Sequence, residues 1–595
     1  MSLSSLLSLS TLLKCLVVFF ITFILLRKHF SKRAKLPPGP AGLPLIGSVL
    51  MLRNETPSEL YNRLYRQYGD IFSIRMGSKL FVVINGFKSL HEVFVKRSDV
   101  FTDRPNMYLF SVLNKENGVV ASSGEMWRRT RTFTLTTLKK FGFGKSSFEN
   151  AIKDEIDVFL DVLQSKCGKP FDLKSSLMKS VANVICSITL GSRFDHDDQR
   201  LHELVKSTMT TAEINASVGI ISVFPIMRYV PGDLLHINIF KNNLFSIWEL
   251  FQECIDKQKL TLTEGVTRNF IDAFVHEQRR AGESDTVFTD DNLLLCLSDL
   301  FLAGTETSST VLTWASIFLI RHPEVQGKMR SEISRVTGDA RAPCLSDRPN
   351  MPYSEAVITE ALRCGNVLPL SLPHTVSKDT VVDGYTIPKG VFVIPNVGSV
   401  LNDPREFENP EMFDPERFID TDGNLRGHEK VALTFSLGKR VCMGEPMARI
   451  QLFLILTSLV QRFELLPEHE DCLPSLDRIE ECLERRVDSA AADVISGKRH
   501  HIIVSLFVTS SQRLTLVMNS NTPASSIGRN IKQEEGTDRE ENDDVITGDG
   551  EEVEGDNEDE ERGHVLCRGY MYQGSEDEMT ASDLFGRSDM DERTF

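Results

Sequence analysis

The sequence predicts a mainly α-helical body with small β-sheets, preceded by an N-terminal membrane anchor and followed by a disordered acidic tail. Three observations carry that expectation. Apolar residues recur at helical spacing over long stretches, most extensively from Asp290 to His322 and from Glu445 to Phe463. Strand-like alternation is confined to short segments: IFSIRMGSKLFVVING around Gly77 and Ser78, and TVVDGYTIPKGVFVIP around the Asp383-Gly384 turn. Acidic charge is concentrated at one end. Residues 531–595 hold 23 acids and 6 bases, a net of −17 in a chain of −16, which leaves the remainder at about +1.

Taken from the N-terminus, residues 3–26 are mostly Leu, Ser, Val, Phe and Ile with Lys14 as the only charge. Their 24 positions suffice to cross a hydrocarbon core of ~30 Å at ~1.5 Å per residue. Arg27, Lys28, Lys32, Arg33 and Lys35 follow and would stay cytosolic. A cleaved signal peptide is the rival, but the segment has no basic start and no small-residue cleavage site. Residues 1–36 are therefore expected to be the anchor with its stop-transfer cluster. Residues 37–50 begin PPGP, and Pro37, Pro38 and Pro40 cannot continue a helix, so they are expected to form a stiff hinge.

Residues 51–508 are expected to be the catalytic body. Helices are expected around Tyr61–Arg66, over Glu125 to about Pro170 and over Leu250 to Arg280. The helix over 290–322 is expected to be capped by Thr289 or Asp290 and stopped before Pro323. Residues 509–595 are assigned to the tail, which is acidic and poor in aromatics and so unable to bury a core. The 11 cysteines include no C-x-x-C pair, so neither a disulfide scaffold nor a zinc site is suggested. Nothing in the charge pattern marks a nucleic-acid binder.

Chemistry concentrates near one cysteine. FSLGKRVCMG places Cys442 in a glycine-punctuated loop just before the helix that opens at Glu445. A sulfur there faces the positive end of a helix dipole and free N–H groups, which favour the thiolate. Gly438 and Gly444 are expected to leave room for a flat cofactor, and Arg440 to reach an acidic edge of it. F-x-x-G-x-R-x-C-x-G, read from Phe435 and followed by E-x-x-A-R, resembles the haem-binding loop of the cytochrome P-450 superfamily. The resemblance implies the P-450 fold, haem b as cofactor and Cys442 as the metal-ligating thiolate, a ligand that pushes electron density onto iron.

Further motifs follow in the family's order and extend the resemblance over roughly residues 10–476. AGTETS in the long helix matches the acid–alcohol motif at every position. It implies that Thr307 hydrogen-bonds dioxygen and that Glu306 relays protons through water. Gly304 costs ~1 kcal/mol against alanine inside a helix, which close approach of a ligand would explain. EALR and PERF imply a structural network of Glu360, Arg363 and Arg417. W-x-x-x-R implies that Trp127 and Arg131 contact a haem propionate, and SLPH that His374 serves the other; Phe435 opens the cofactor loop. Ala303, Asp299, Leu368 and Leu372 are the substrate-binding residues implied, with the loop before Trp127 and the segment around Phe224. Arg128, Arg129, Lys139, Lys140 and Lys439 are candidates for a reductase-docking face.

Phrases such as FGFGKSSFE and FPIMRYVPG look most like the microsomal family-two group. The function implied is a monooxygenase on the cytosolic face of the endoplasmic reticulum membrane. It would insert one atom of O₂ into a small lipophilic substrate, of drug, steroid or fatty-acid type. Electrons would come from NADPH through NADPH-cytochrome P-450 reductase, because no NADPH site is evident. After Leu476 the pattern departs: where the family continues with a Gly/Pro-rich hairpin that closes the pocket, RIEECLERRVDSAAADVISGKRHH and an apolar stretch, residues 502–508, follow. A mistaken reading of the gene or an alternative splice is the competing explanation. That end supports an alternative function, a membrane-tethered haem protein with weak or no turnover.

Overall fold

The computed structural model describes residues 35–467 except 54, 109–115, 142–148, 167–170, 230, 231, 234, 339 and 340, together with Thr11, Lys14, Val18, Thr22, Pro474 and 513–518. The expected membrane span, residues 3–26, therefore lies almost wholly outside the described residues; the four described there are helical. Among the described residues no helix is long and apolar enough to cross a membrane. The acidic tail over 531–595 also lies outside them, as does the apolar stretch 502–508.

Eleven helices of three turns or more carry the described body: α1 (Pro57–Tyr68), α2 (Gly124–Lys140), α3 (Glu149–Gln164), α4 (Leu173–Thr189), α5 (Gln199–Val223), α6 (Ile237–Leu260), α7 (Phe270–Ala281), α8 (Asp290–Arg321), α9 (Pro323–Thr337), α10 (Pro352–Gly365) and α11 (Glu445–Arg462). The two long helical stretches expected over 125–170 and 250–280 are each broken in two. The second breaks because Asn269 leaves the helix to cap α7, its side chain accepting from the Asp272 N–H. The 32-residue α8 starts as expected, with the Thr289 side chain accepting from the Asn292 N–H, and ends where Pro323 opens α9.

Strands β1 (Ile71–Met76) and β2 (Lys79–Ile84) form a hairpin closed at Gly77, where φ is +55°. Strands β4 (His374–Thr375) and β7 (Phe392–Pro395) complete that sheet in the order β1-β2-β7-β4, with β2 and β7 parallel. β5 (Thr380–Val382) and β6 (Tyr385–Ile387) pair across Asp383 and Gly384, both at positive φ, as the Asp-Gly turn requires. The proline segment is no free hinge. Pro38 accepts from the Ser73 N–H at 2.7 Å, Pro37 from the Ser73 hydroxyl at 2.8 Å, and Lys35 from the Thr386 N–H at 2.7 Å. A proline carbonyl still accepts although its nitrogen cannot donate, so the segment docks along β1.

The third sheet was not foreseen. β8 (Phe463–Pro467) pairs antiparallel with β9 (Arg513–Met518) over five residues, and β9 pairs with β3 (Phe171–Asp172). β9 lies past the expected boundary at 508, and the compact unit runs to Ala524. The strand that returns to the body is thus RLTLVM, whose sheet partners lie about 50 and 340 residues away in sequence. One large core of buried aliphatic and aromatic side chains is shared by α3, α4, α8, α10 and α11, and it surrounds the middle of α8.

Candidate active site

The cysteine loop hangs from the body by backbone contacts. The Cys442 N–H donates to the Phe435 carbonyl at 2.8 Å, and the Arg131 guanidinium donates to the Val441 carbonyl at 2.5 Å. Gly438 has φ +71°, and a Cβ there would lie 1.9 Å from the Phe94 carbonyl oxygen. Its lack of a side chain therefore serves a backbone crossing and not cofactor space. At Gly444 a Cβ would only touch the Cys442 sulfur at 3.7 Å, an ordinary contact.

Cys442 is solvent-accessible although protein atoms surround it closely, which puts its sulfur on the wall of an internal space. Burial raises the thiol above its ordinary value, more than the Gly444 and Glu445 backbone N–H groups and Arg131 lower it. The N–H groups at the start of α11 favour the thiolate, as expected, but burial outweighs them. A bound metal cation strips a coordinating thiol of its proton.

Beside the loop stands a group of cations. Arg440 lies 4.1 Å over the Trp127 ring and Arg131 5.9 Å over the same ring. Arg440 donates to the carbonyls of Thr102, Val119 and Ser122. Burial, with Arg104 and Arg131 nearby, pushes Arg440 down to about 8, and burial with Arg131 pushes Arg104 down to about 10. A guanidinium keeps its proton in a protein, so this mutual repulsion is a cost that an anion would relieve. Asp103 is the one carboxylate acting on Arg440. The Trp127 indole N–H is buried with no partner. Three crowded guanidiniums, an orphaned donor and an accessible deep sulfur fit a haem with two carboxylates and a thiolate-bound iron.

Arg104 had no motif to announce it. Its side chain reaches Leu372 and Pro373, whose carbonyls accept at 3.1 and 2.8 Å across 268 and 269 residues. Sequence spacing carries no trace of such a contact; only its sitting between two chain-distant loops identifies it. His374 is buried with its Nδ1 2.6 Å from the Phe101 carbonyl. Burial and the Arg104 and Arg440 charges hold its imidazole well below the ordinary value, so it is neutral and donates from Nδ1.

The long helix α8 is accessible at Ala303 between stretches that are buried nearly all round. The Thr307 hydroxyl donates to the Ala303 carbonyl at 2.7 Å. Glu306 turns elsewhere: its Oε1 accepts from the Thr310 hydroxyl at 3.2 Å and lies 3.4 Å from Lys174 Nζ, while Oε2 is buried without a partner. The space over Gly304 is taken by Ile185 of α4, whose Cδ1 would sit 2.7 Å from a Cβ. This glycine permits helix–helix packing, which corrects its reading as a ligand contact.

Asp299 also departs from expectation. Its Oδ2 accepts from the Val119 and Val120 N–H groups at 2.8 and 2.9 Å, and it crowds Gly118, so it fastens the loop before Trp127. Burial raises its carboxyl to about 6 against those backbone donors. The folded protein therefore holds more protons than the unfolded chain between about pH 4 and 6, so stability falls as pH rises through that window. Asn offers the same acceptor uncharged. Asp299→Asn is expected to flatten this part of the stability profile and gain on the order of 1–3 kcal/mol at pH 7. Denaturant unfolding at pH 4.5 and 7 checks it, and an equal loss at both would refute the protonation argument.

Leu368 is 46% exposed and Leu372 half-buried. Glu360 and Arg363 are wholly buried, with Arg363 Nε and Nη2 each 2.7 Å from a Glu360 oxygen and Arg417 Nε 3.0 Å from Oε1. Of the five candidate docking cations, Arg128 pairs with Glu125, Arg129 with Asp285 and Lys439 with Asp99. Lys139 and Lys140 are exposed at the end of α2.

A family model for cytochrome P450 matches residues 37–483. Cytochrome P450 2C3 of Oryctolagus cuniculus is 37% identical over 450 residues, covering 75% of this chain and 91% of that protein. Cytochrome P450 2H2 of Gallus gallus is 38% identical over 459 residues, covering 77% and 92%. Cytochrome P450 2J2 of Homo sapiens is 35% identical over 471 residues, covering 78% and 92%. The match runs seven residues past Leu476, where the resemblance read from motifs stops.

Proposed function

The chain belongs to the cytochrome P450 family and is a haem-thiolate monooxygenase, and on that premise we propose a membrane-anchored enzyme that oxidises a small lipophilic compound with electrons from an NADPH-dependent reductase. Cys442 is the thiolate, and its accessibility beside the crowded guanidiniums of Arg104, Arg131 and Arg440 is the observation that supports the assignment. Haem b, when bound, supplies the redox-active iron at which dioxygen is reduced and one oxygen atom is transferred.

The residues of the chain do the rest. Arg104, Arg131, Arg440 and the Trp127 indole N–H hold the two propionates, and His374 packs beside them as a neutral ring. Phe435 holds the ligand loop through its carbonyl. Ala303, Leu368 and Leu372 line the substrate space with aliphatic surface, which selects for apolar molecules. Asp299 shapes that space by tying down the loop before Trp127. Glu306 takes a proton from water and passes it on toward the Thr307 hydroxyl, which sits on the accessible side of α8. The reductase docks near Lys139 and Lys140, since the other basic candidates already carry acidic partners.

Membrane attachment through residues 3–26 and a site on the endoplasmic reticulum rest on that segment's length and basic flank, and on the microsomal resemblance. The non-turnover reading drew on the odd terminus alone, and β9 gives that terminus a strand's role in the body. Reconstitution of the full chain with reductase, NADPH and a panel of lipophilic compounds tests the activity. Thr307→Ala is expected to lower product per NADPH about tenfold or more and raise peroxide to match, in line with the worth of one positioned proton donor. Unchanged coupling would remove Thr307 from proton delivery.

A further inference from the structure

We propose that Lys174 is a positioning residue for proton delivery: it pins one oxygen of the Glu306 carboxylate and leaves the other free to bind the water that feeds it. The inference rests on the relay role given to Glu306 above. Lys174 Nζ lies 3.4 Å from Glu306 Oε1, and both side chains are largely shielded from solvent, at 17% and 18% exposure. The Thr310 hydroxyl donates to the same oxygen at 3.2 Å. Oε2 is buried with no hydrogen-bond partner, an expensive state for a carboxylate oxygen unless water reaches it.

Lys174 owes its place to the third sheet. It is the second residue of α4, whose first turn is capped by Asp172 through the Ser175 N–H. Asp172 and Phe171 form β3 and pair with Arg513 and Leu514 of β9, while β9 is pinned to the end of α11 through β8. The start of α4 is thereby held against α8, and farther along the same helix Ile185 packs into Gly304. Lys174 is the one charged side chain recorded against Glu306 among the described residues.

The chemistry is a proton transfer with no net redox change. Glu306, with Oε1 held by Lys174, accepts a proton at Oε2 from water connected to bulk solvent. It then releases that proton through water toward the Thr307 hydroxyl and returns to the carboxylate. Without the ammonium, a carboxylate in this apolar helix holds its proton to higher pH, and release slows.

The test uses the full-length, haem-loaded protein and the variants Lys174→Met, Lys174→Arg and Glu306→Gln. Infrared titration of the resting protein follows the Glu306 carboxyl band, identified by its loss in Glu306→Gln. Lys174→Met is expected to move the midpoint up by about one pH unit, and Lys174→Arg to restore it. In turnover, Lys174→Met should raise the share of electrons lost to peroxide several-fold and shift the pH profile of coupling by the same amount. A midpoint unmoved in Lys174→Met overturns the pairing. A midpoint that moves while Glu306→Gln couples normally leaves the pair standing and instead overturns the relay it was proposed to serve.

Discussion

Replacing Cys442 with serine is expected to abolish both the thiolate-type absorbance of the reduced, carbon-monoxide-bound protein and all monooxygenase turnover. A serine hydroxyl does not ionise in this pH range even beside a metal-bound site of modest charge, so it cannot replace a thiolate that pushes electron density onto iron. The choice of sulfur is narrow. Among the described cysteines, Cys186 and Cys296 are completely buried in the hydrophobic core, and burial raises both thiols. Cys364 lies against Arg363 and has its thiol raised by burial as well. Cys442 alone among them combines accessibility with a place beside the arginine cluster. Haem content is a separate readout, since Arg104, Arg131, Arg440 and Trp127 remain to bind the propionates. Persistence of the thiolate signature in Cys442→Ser would transfer the ligand role to another cysteine and dismantle the site described above.

The second large effect is expected at Glu360. Its carboxylate receives two bonds from Arg363, one from Arg417 Nε and one from the Asp414 N–H at 2.9 Å. Arg363 is also committed to the carbonyls of Leu401, Pro410 and Met412, which ties α10 to the chain segment ahead of the cysteine loop. Burial pulls the Arg363 guanidinium down, but Glu360 and Cys364 more than offset it, so its net shift is upward. Glu360→Gln leaves two guanidiniums facing one neutral amide, one of them fully buried. Removing one partner of a buried pair costs about 3–5 kcal/mol. Since a single domain commonly has only about 5–15 kcal/mol in hand, little folded protein should survive at 37 °C. Glu360→Gln with Arg363→Met should cost less than the two singles added, because the double variant buries no unpaired charge. Chemical denaturation of haem-loaded protein measures this. A loss under 1 kcal/mol in Glu360→Gln would show that the pair is not structural.

Much of this arrangement was readable before folding, and the reason differs from residue to residue. Glu360, Arg363 and Arg417 were legible because EALR places two of them at i, i+3 on one helix face and PERF supplies the third. α8 and α11 were legible because their apolar periodicity is long, and α8 also because its cap at Thr289 and its stop before Pro323 are local. Gly438 was read correctly as a required glycine but for the wrong reason: its neighbour is the Phe94 carbonyl, about 340 residues back. Gly304 was misread in the same way, since Ile185 of another helix decides it. Arg104 and Lys174 passed unnoticed, because an arginine or lysine acquires its meaning only from what folding brings opposite it.

The amino-acid pattern by itself determined the family chemistry: one cysteine in its loop, an acid–alcohol pair in a long helix and a mostly helical body. Those features depend on contacts within a turn or two of helix or within one loop, and such contacts leave a spacing in the chain. The tertiary structure alone decided where the charges point. It buried Asp299 against a loop, set Arg131 and Arg440 over an indole whose N–H has no partner with Arg104 close by, and set Lys174 against Glu306 through a strand from far down the chain. Electrostatic energy depends on distance through space and on local dielectric, and neither quantity is written in the order of residues.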